Sequence, residues 1–339
     1  MSGKILFLTS PLEDYLSDGL FHGLRTLLGS RVVDYPKAER MYRAPREKIE
    51  QLRGHGCTLY GLLEDIEVNR PSRLNTEIAS SYEVVIVSDI WRQWMTYASI
   101  AKVLAKENAI ILDGADAESL YKYAEFFWRN PKRWFLPKIK SIPYFKRELT
   151  PRTLKYRCFL LAPEWLISKA MHFAPWHKTS FSIPNEKVLS TLPPKKKLMA
   201  AHIVDPEVAQ YFGGSTTGYA FSSEEEYYKD LQTSRFAITS KRGGWDCLRH
   251  YEIAANGCVP CFRSLDRKPE TCAPHGLSRE NCIVYENVAD LKSQINSITD
   301  RSYAQLQQNA LGWAKANTTT ERAKEVLQVS EHEDLLRGE

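Results

Sequence analysis

Residues 236–262, FAITSKRGGWDCLRHYEIAANGCVPCF, hold the densest set of side chains that could do chemistry. Arg249, Glu252 and Asn256 stand at i, i+3 and i+7, so a helix would set all three on one face. Just before them, Lys241-Arg242-Gly243-Gly244 forms a basic turn. Two glycines there let backbone N–H groups approach an anion, and the helix N-terminus adds partial positive charge. A cation beside such a turn can pair with a diphosphate. A carboxylate one helical turn further on can accept hydrogen bonds from a ribose diol. The same spacing also suits an ordinary βαβ unit with a solvated polar stripe, because two adjacent glycines alone are a weak signal.

The elements that must position these groups follow from pattern. Phe236–Ser240 is short and apolar and reads as a buried strand; Trp245–Asn256 is helical; Val259–Phe262 is the next strand. Gly257 ends the helix, since a residue without Cβ takes the left-handed conformation there. Upstream, Lys4–Thr9 reads as a strand, Ser10–Asp18 as a polar loop, Gly19–Leu28 as an amphipathic helix and Arg31–Tyr35 as a second strand. No G-x-G-x-x-G follows the first strand, so a dinucleotide cofactor is not indicated. In an open parallel sheet, ligands gather at the carboxyl ends of the strands. Asp14, Tyr15, Asp18 and His22 lie in or next to that first loop, with Asp18 and His22 four apart. Glu83–Ser88 and Ala109–Leu112 are continuous apolar runs, as expected of central parallel strands. Asp89 follows one of them, and Asp113 and Asp116 follow the other. Such residues could touch a ligand or cap the next helix, as Asp14 and Ser17 also could.

Pro45–Leu52 and Met95–Lys106 read as helices, Cys57–Tyr60 as a short strand, and Glu118–Trp128 as an aromatic helix. Residues 130–157 mix many lysines and arginines with aromatics and prolines. That mixture suits a single nucleic-acid strand, or a crossover whose basic stems pack on the first domain. After Ser182–Pro194, a second alternation begins with a strand at Leu198–Val204 and a short helix at Asp205–Phe212. A loop over Gly213–Gly218 and a helix from Ser223 follow. Cys282–Tyr285 is the last strand, and helices cover Val288–Ile298, Ser302–Ala316 and Thr320–Val329. Glu164–Phe173 has no clear pattern.

Composition excludes several classes. At 339 residues the chain supports two domains with full cores. No apolar run approaches the roughly 18 residues of a membrane span, so no integral membrane segment is expected. MSGKILFLTS lacks an A-x-A type cleavage site and reads as a first strand rather than a signal peptide. A net charge of +5 suits anionic ligands without pointing to nucleic acid. Seven scattered cysteines suggest reduced thiols and a cytoplasmic location. Cys258 and Cys261 have zinc-like spacing, yet residues three apart on a strand point to opposite faces.

The run Arg249 to Pro260, RHYEIAANGCVP, resembles the R-x-x-E-A-x-A-x-G-x-V-P signature of glycosyltransferases with two facing Rossmann-like domains, the GT-B architecture. It is most similar to their exostosin-like and bacterial family-1-like groups. Tyr144–Leu149, YFKREL, also resembles a segment of bacterial members. The resemblance implies that Glu252 binds the ribose of a nucleotide-sugar donor. It implies that Arg249 and the turn Lys241, Arg242, Gly243 and Gly244 bind the donor phosphates. Many retaining members carry a second Glu where Gly244 and Trp245 stand here, and Asp246 is the nearest carboxylate. We group Asp246 with the donor residues and expect inversion. Inverting members take a general base from the first domain, which points to Asp18 or His22. Asp14, Asp89 and Arg147 are expected to face the acceptor.

The expected fold is therefore α/β, two doubly wound Rossmann-like domains across a cleft. The first covers residues 1–177 with its crossover, the second 178–318, and residues 319–339 form a helix and tail packing back on the first. The expected activity is transfer of a hexose or pentose, from a UDP-sugar or related donor, to a cell-surface glycan or other saccharide. No D-x-D triplet occurs, so no metal or other cofactor is expected. Two alternatives stay open: a hydroxymethylated DNA base as the acceptor, and a nucleotide-sugar-binding protein without catalysis.

Overall fold

The structure, a computed structural model, describes residues 3–120, 141–150, 153, 163, 175–214 and 220–337. Strand β1 (Ile5–Leu8) is wholly buried, with Ile5 and Phe7 packing on one face and Leu6 and Leu8 on the other. It pairs in parallel with β2 (Val32–Tyr35) and β3 (Val84–Val87). Strands β4 (Ala109–Asp113), β5 (Tyr144–Lys146) and β6 (Trp176–Lys178) extend the sheet, all parallel, in the order 2-1-3-4-5-6. The order reverses between β1 and β3, and a crevice opens at the carboxyl ends of such a pair.

Helix α1 (Tyr15–Leu28) covers one face through Leu16, Leu20 and Leu24. A single turn of helix, α2 (Arg46–Ile49), precedes α3 (Thr76–Ser80) and α4 (Trp94–Ile100), which cover the other face through Ala79, Tyr97 and Ile100. Asp14 caps α1, accepting the N–H groups of Leu16 and Ser17, so the helix starts four residues before the expected Gly19. Cys57–Tyr60 is a turn rather than a strand. Gly54, His55, Gly56, Thr58 and Gly61 all have positive φ, which extended backbone excludes.

The second sheet is also parallel, in the order β7 (Lys197–Met199), β8 (Ser234–Thr239), β9 (Val259–Arg263), β10 (Ile283–Tyr285). Helices α5 (Pro206–Phe212) and α6 (Glu224–Thr233) join β7 to β8, and α7 (Leu248–Ala255) joins β8 to β9. Cys258 packs with Ala200, Leu231 and Ile253, whereas Cys261 packs with Ile238 and Ile283 on the opposite face. Among the described residues no group of His, Cys, Asp or Glu is placed to hold a metal ion. The fold is two Rossmann-like α/β domains.

Helices α8 (Val288–Ser297) and α9 (Asp300–Ala316) complete the second domain, and α10 (Thr319–Val329) returns to lie on α1. The contact is close: a Cβ on Gly23 would stand 1.9 Å from the Thr319 carbonyl oxygen. β6 reaches Lys178, so the first sheet runs one residue past the expected boundary at 177. The expected helix over 118–128, the basic segment over 130–157, the stretch 164–173 and the loop over 213–218 lie mostly or wholly outside the described residues. Within that segment, β5 is buried, and Lys146 pairs with Asp113 where neither side chain is exposed. No helix among the described residues is long and apolar enough to cross a membrane.

Candidate active site

A cavity of about 510 Å³ lies where the two domains meet. Its first-domain wall includes Glu13, Asp14, Tyr15, Asp89, Trp91 and Arg92, from the loops after β1 and β3, and part of the loop that begins at Arg53. The loops after β1 and β3 end the two strands between which the sheet order reverses. The second-domain wall is Arg242, Gly243, Gly244, Cys247, Arg249 and Glu252, from the glycine turn and the first turns of α7.

Cys247 makes no side-chain cap to α7, and Cys247, Leu248 and Arg249 line the cavity at that helix end. Arg249 lines the same wall, and its Nε is buried without a hydrogen-bond partner among the described residues. One turn later, Glu252 is 9% exposed, and burial raises its pKa. Its Oε1 accepts the Thr58 hydroxyl at 2.5 Å, and its Oε2 accepts the Tyr227 hydroxyl at 3.0 Å.

The turn itself differs from expectation. The N–H groups of Trp245 and Asp246 donate to Glu148 Oε1, at 2.8 and 3.5 Å. A protein carboxylate from the end of β5 thus occupies part of the anion-binding backbone, and the helix starts at Leu248 rather than Trp245. Gly244 is required by this approach, because a Cβ there would stand 2.3 Å from Glu148 Oε1. Lys241 is outside the cavity lining, its ammonium 4.8 Å from the centre of the Trp245 ring. Asp246 also lines the cavity, and its carboxylate accepts the Phe181 N–H at 2.7 Å and the Tyr251 hydroxyl at 3.0 Å. Both of its carboxylate oxygens are thus engaged within the protein.

On the first-domain side the two expected bases are not in the cavity wall. Asp18 is held by Arg40 through two hydrogen bonds of 2.6 and 2.9 Å and also accepts from Tyr60. His22 faces α10, with Nδ1 2.9 Å from the Thr319 hydroxyl and Nε2 3.2 Å from Glu186. Asp18 is thus taken up by its own domain, and His22 by the C-terminal helix and Glu186. Asp14, four residues before Asp18, lines the cavity, as do Glu13 and Asp89. Burial pushes the Asp14 pKa up to about 6, and the charges of Asp89 and Asp18 add to the rise. Asp89, at φ +44°, accepts from the Ser10 hydroxyl at 2.8 Å and pairs with Arg92 at 2.6 Å.

Arg147 lines the cavity but is fully engaged. Its guanidinium donates to the carbonyls of Gly114 and Asp246, pairs with Asp116, and lies 4.5 Å from the centre of the Phe181 ring. It joins the domains, which leaves no evident donor for an acceptor. Sequence reasoning missed Thr58, Tyr227 and Glu148. The glycines at 54, 56 and 61 were a signal of a tightly coiled loop around Thr58; nothing in the sequence marks Glu148 or Tyr227 as neighbours of the glycine turn and Glu252.

No family model matches the sequence, and no curated protein matches it. Solved structures do. A glycosyltransferase from Rickettsia africae aligns over 100% of both chains at 9% identity, with a TM-score of 0.49. HepE of Anabaena, solved in complex with UDP and glucose, aligns over 96% of this chain and 98% of its own at 9% identity, with a TM-score of 0.48. AviGT4, a glycosyltransferase involved in avilamycin A biosynthesis, aligns over 99% of both at 10% identity, with a TM-score of 0.45.

Proposed function

We propose that the protein transfers a sugar from a nucleotide-sugar donor to a saccharide hydroxyl. The observation that supports this most is the pairing of two walls across one cavity. Arg249, Glu252 and an uncapped helix end stand on one side, and Asp14, a carboxylate with a pKa of about 6, stands on the other. Glu252 would take the ribose diol. The α7 N-terminus, Arg249 and Arg242 would take the diphosphate.

In the reaction, the acceptor oxygen attacks the anomeric carbon as its proton passes to Asp14. The bond from that carbon to the diphosphate oxygen breaks, and its electron pair leaves with the diphosphate. Arg249 and the helix end stabilise the developing charge, the task a divalent cation would otherwise perform. A base near pH 7 is best matched to such a proton transfer, and Asp14 is shifted in that direction. Attack from the Asp14 side, opposite the leaving group, inverts the anomeric centre. The rings of Tyr15 and Trp91 and the polar groups of Glu13 and Arg92 suit the faces and hydroxyls of a saccharide acceptor. This assignment places the base on Asp14 instead of Asp18 or His22.

The test is release of nucleoside diphosphate from a panel of nucleotide-sugars, with and without saccharide acceptors. Turnover of at least one donor is expected, with Arg249→Ala slowing it by about 10²–10³-fold. If the wild-type protein releases no diphosphate from any donor, the proposal is wrong.

A further inference from the structure

The first-domain loop 53–61 crosses to the donor wall and makes its contacts at the carboxylate assigned to the ribose. The Thr58 hydroxyl donates to Glu252 Oε1 at 2.5 Å and lies 2.8 Å from the Tyr228 hydroxyl, while the Thr58 N–H donates to Glu224 at 2.6 Å. Thr58 is 1% exposed and has φ +75°, a conformation that a β-branched residue adopts only when its surroundings impose it. Its neighbours Gly54, His55, Gly56 and Gly61 also have positive φ, so the loop is tightly coiled around this residue. Tyr227 donates to the other carboxylate oxygen at 3.0 Å. Glu252 therefore already accepts one hydroxyl on each oxygen, the arrangement a vicinal diol would make.

Resting on the assignment of Glu252 to the donor ribose, we infer that Thr58 is a competing ligand for that carboxylate and sets donor affinity. Its hydroxyl occupies the Glu252 oxygen that a ribose hydroxyl would take, next to Cys57 in the cavity wall, and the donor displaces it. Strain stored at Thr58 favours the exchange, because loop 53–61 relaxes when Glu252 releases it. The ribose then restores the hydrogen bond that the threonine gives up. Donors without a ribose diol cannot make that exchange, so the contact also selects for ribonucleotides.

The test compares Thr58→Val, Thr58→Gly and Thr58→Ser by calorimetric titration with ADP, GDP, CDP and UDP and with their 2′,3′-dideoxy counterparts. Valine keeps the shape and the strained φ but loses the hydroxyl, glycine loses both, and serine keeps the hydroxyl. Removing a hydrogen bond to a charged group that the ligand must break should tighten ribonucleotide binding by about tenfold in the Val and Gly variants. Ser should bind as wild type, and the preference for ribo- over dideoxynucleotides should widen in Val and Gly. Equal or weaker ribonucleotide binding by Val and Gly, with the wild type still binding, overturns the role of Thr58 and leaves the donor site standing. If neither wild type nor variant binds any diphosphate, both readings fall.

Discussion

At the level of single residues, Asp14 is the group whose protonation matters most. It caps α1 and faces the cavity, and its carboxyl sits near pKa 6 because burial and two acidic neighbours oppose ionisation. Catalysis that needs the carboxylate should rise with pH through about 6 and level off above it. Asp14→Asn keeps a good helix cap but cannot take a proton, so the rate should fall about 10²–10⁴-fold and the rise near pH 6 should disappear. The stability effect has the opposite sign to the usual carboxylate. A folded-state pKa raised above the ordinary 3.8 means the native state holds its proton longer than the unfolded chain does. Between pH 4 and 6 the wild type should therefore lose stability relative to Asp14→Asn. Melting curves at pH 4 and pH 7 check this: the gap in Tm should move in favour of Asn at pH 7, and a gap independent of pH would contradict the shift.

At the scale of elements, the close pairing of α1 with α10 decides which face of α1 is available. Gly23 lets the helices touch, and His22 beside it is spent on Thr319 and Glu186. Gly23→Ala should force the helices apart and destabilise the protein by about 1–3 kcal/mol, seen as a lower Tm, with the donor wall intact. An unchanged Tm would show that the contact relaxes freely. This pairing also marks the limit of what the sequence discloses. The strand–turn–helix–strand order around Arg249 and Glu252 was legible because it is local: short apolar runs, glycines and a 3.6-residue period. No local pattern says that a helix some 300 residues on takes up His22, or that Arg40 and Tyr60 take up Asp18. Glu148 and Thr58 were illegible for the same reason, since each reaches the donor wall from the other domain. Cys57–Tyr60 looked extended by residue type, while its glycine-rich setting imposed a coil.

At the scale of the whole molecule, the two domains are joined closely around the cavity. Arg147 and Glu148 from the end of β5, Asp246 before α7 and Phe181 after β6 bond to one another across the boundary. One apolar core runs through Leu20 and Phe21 of the first domain to Tyr251 and Trp313 of the second. That shared back sets the distance between the Asp14 wall and the Glu252 wall, so the site exists only when both domains are in place. The claim on which the account rests is that the second wall holds a nucleoside diphosphate by its ribose. Calorimetric titration of ADP, GDP, CDP and UDP into wild type and Glu252→Gln tests it most directly. The account predicts that at least one binds at a single site and that the glutamine variant, folded and with a similar Tm, binds it about tenfold or more weakly. Equal binding by the two proteins, or none by the wild type at millimolar concentration, would contradict it.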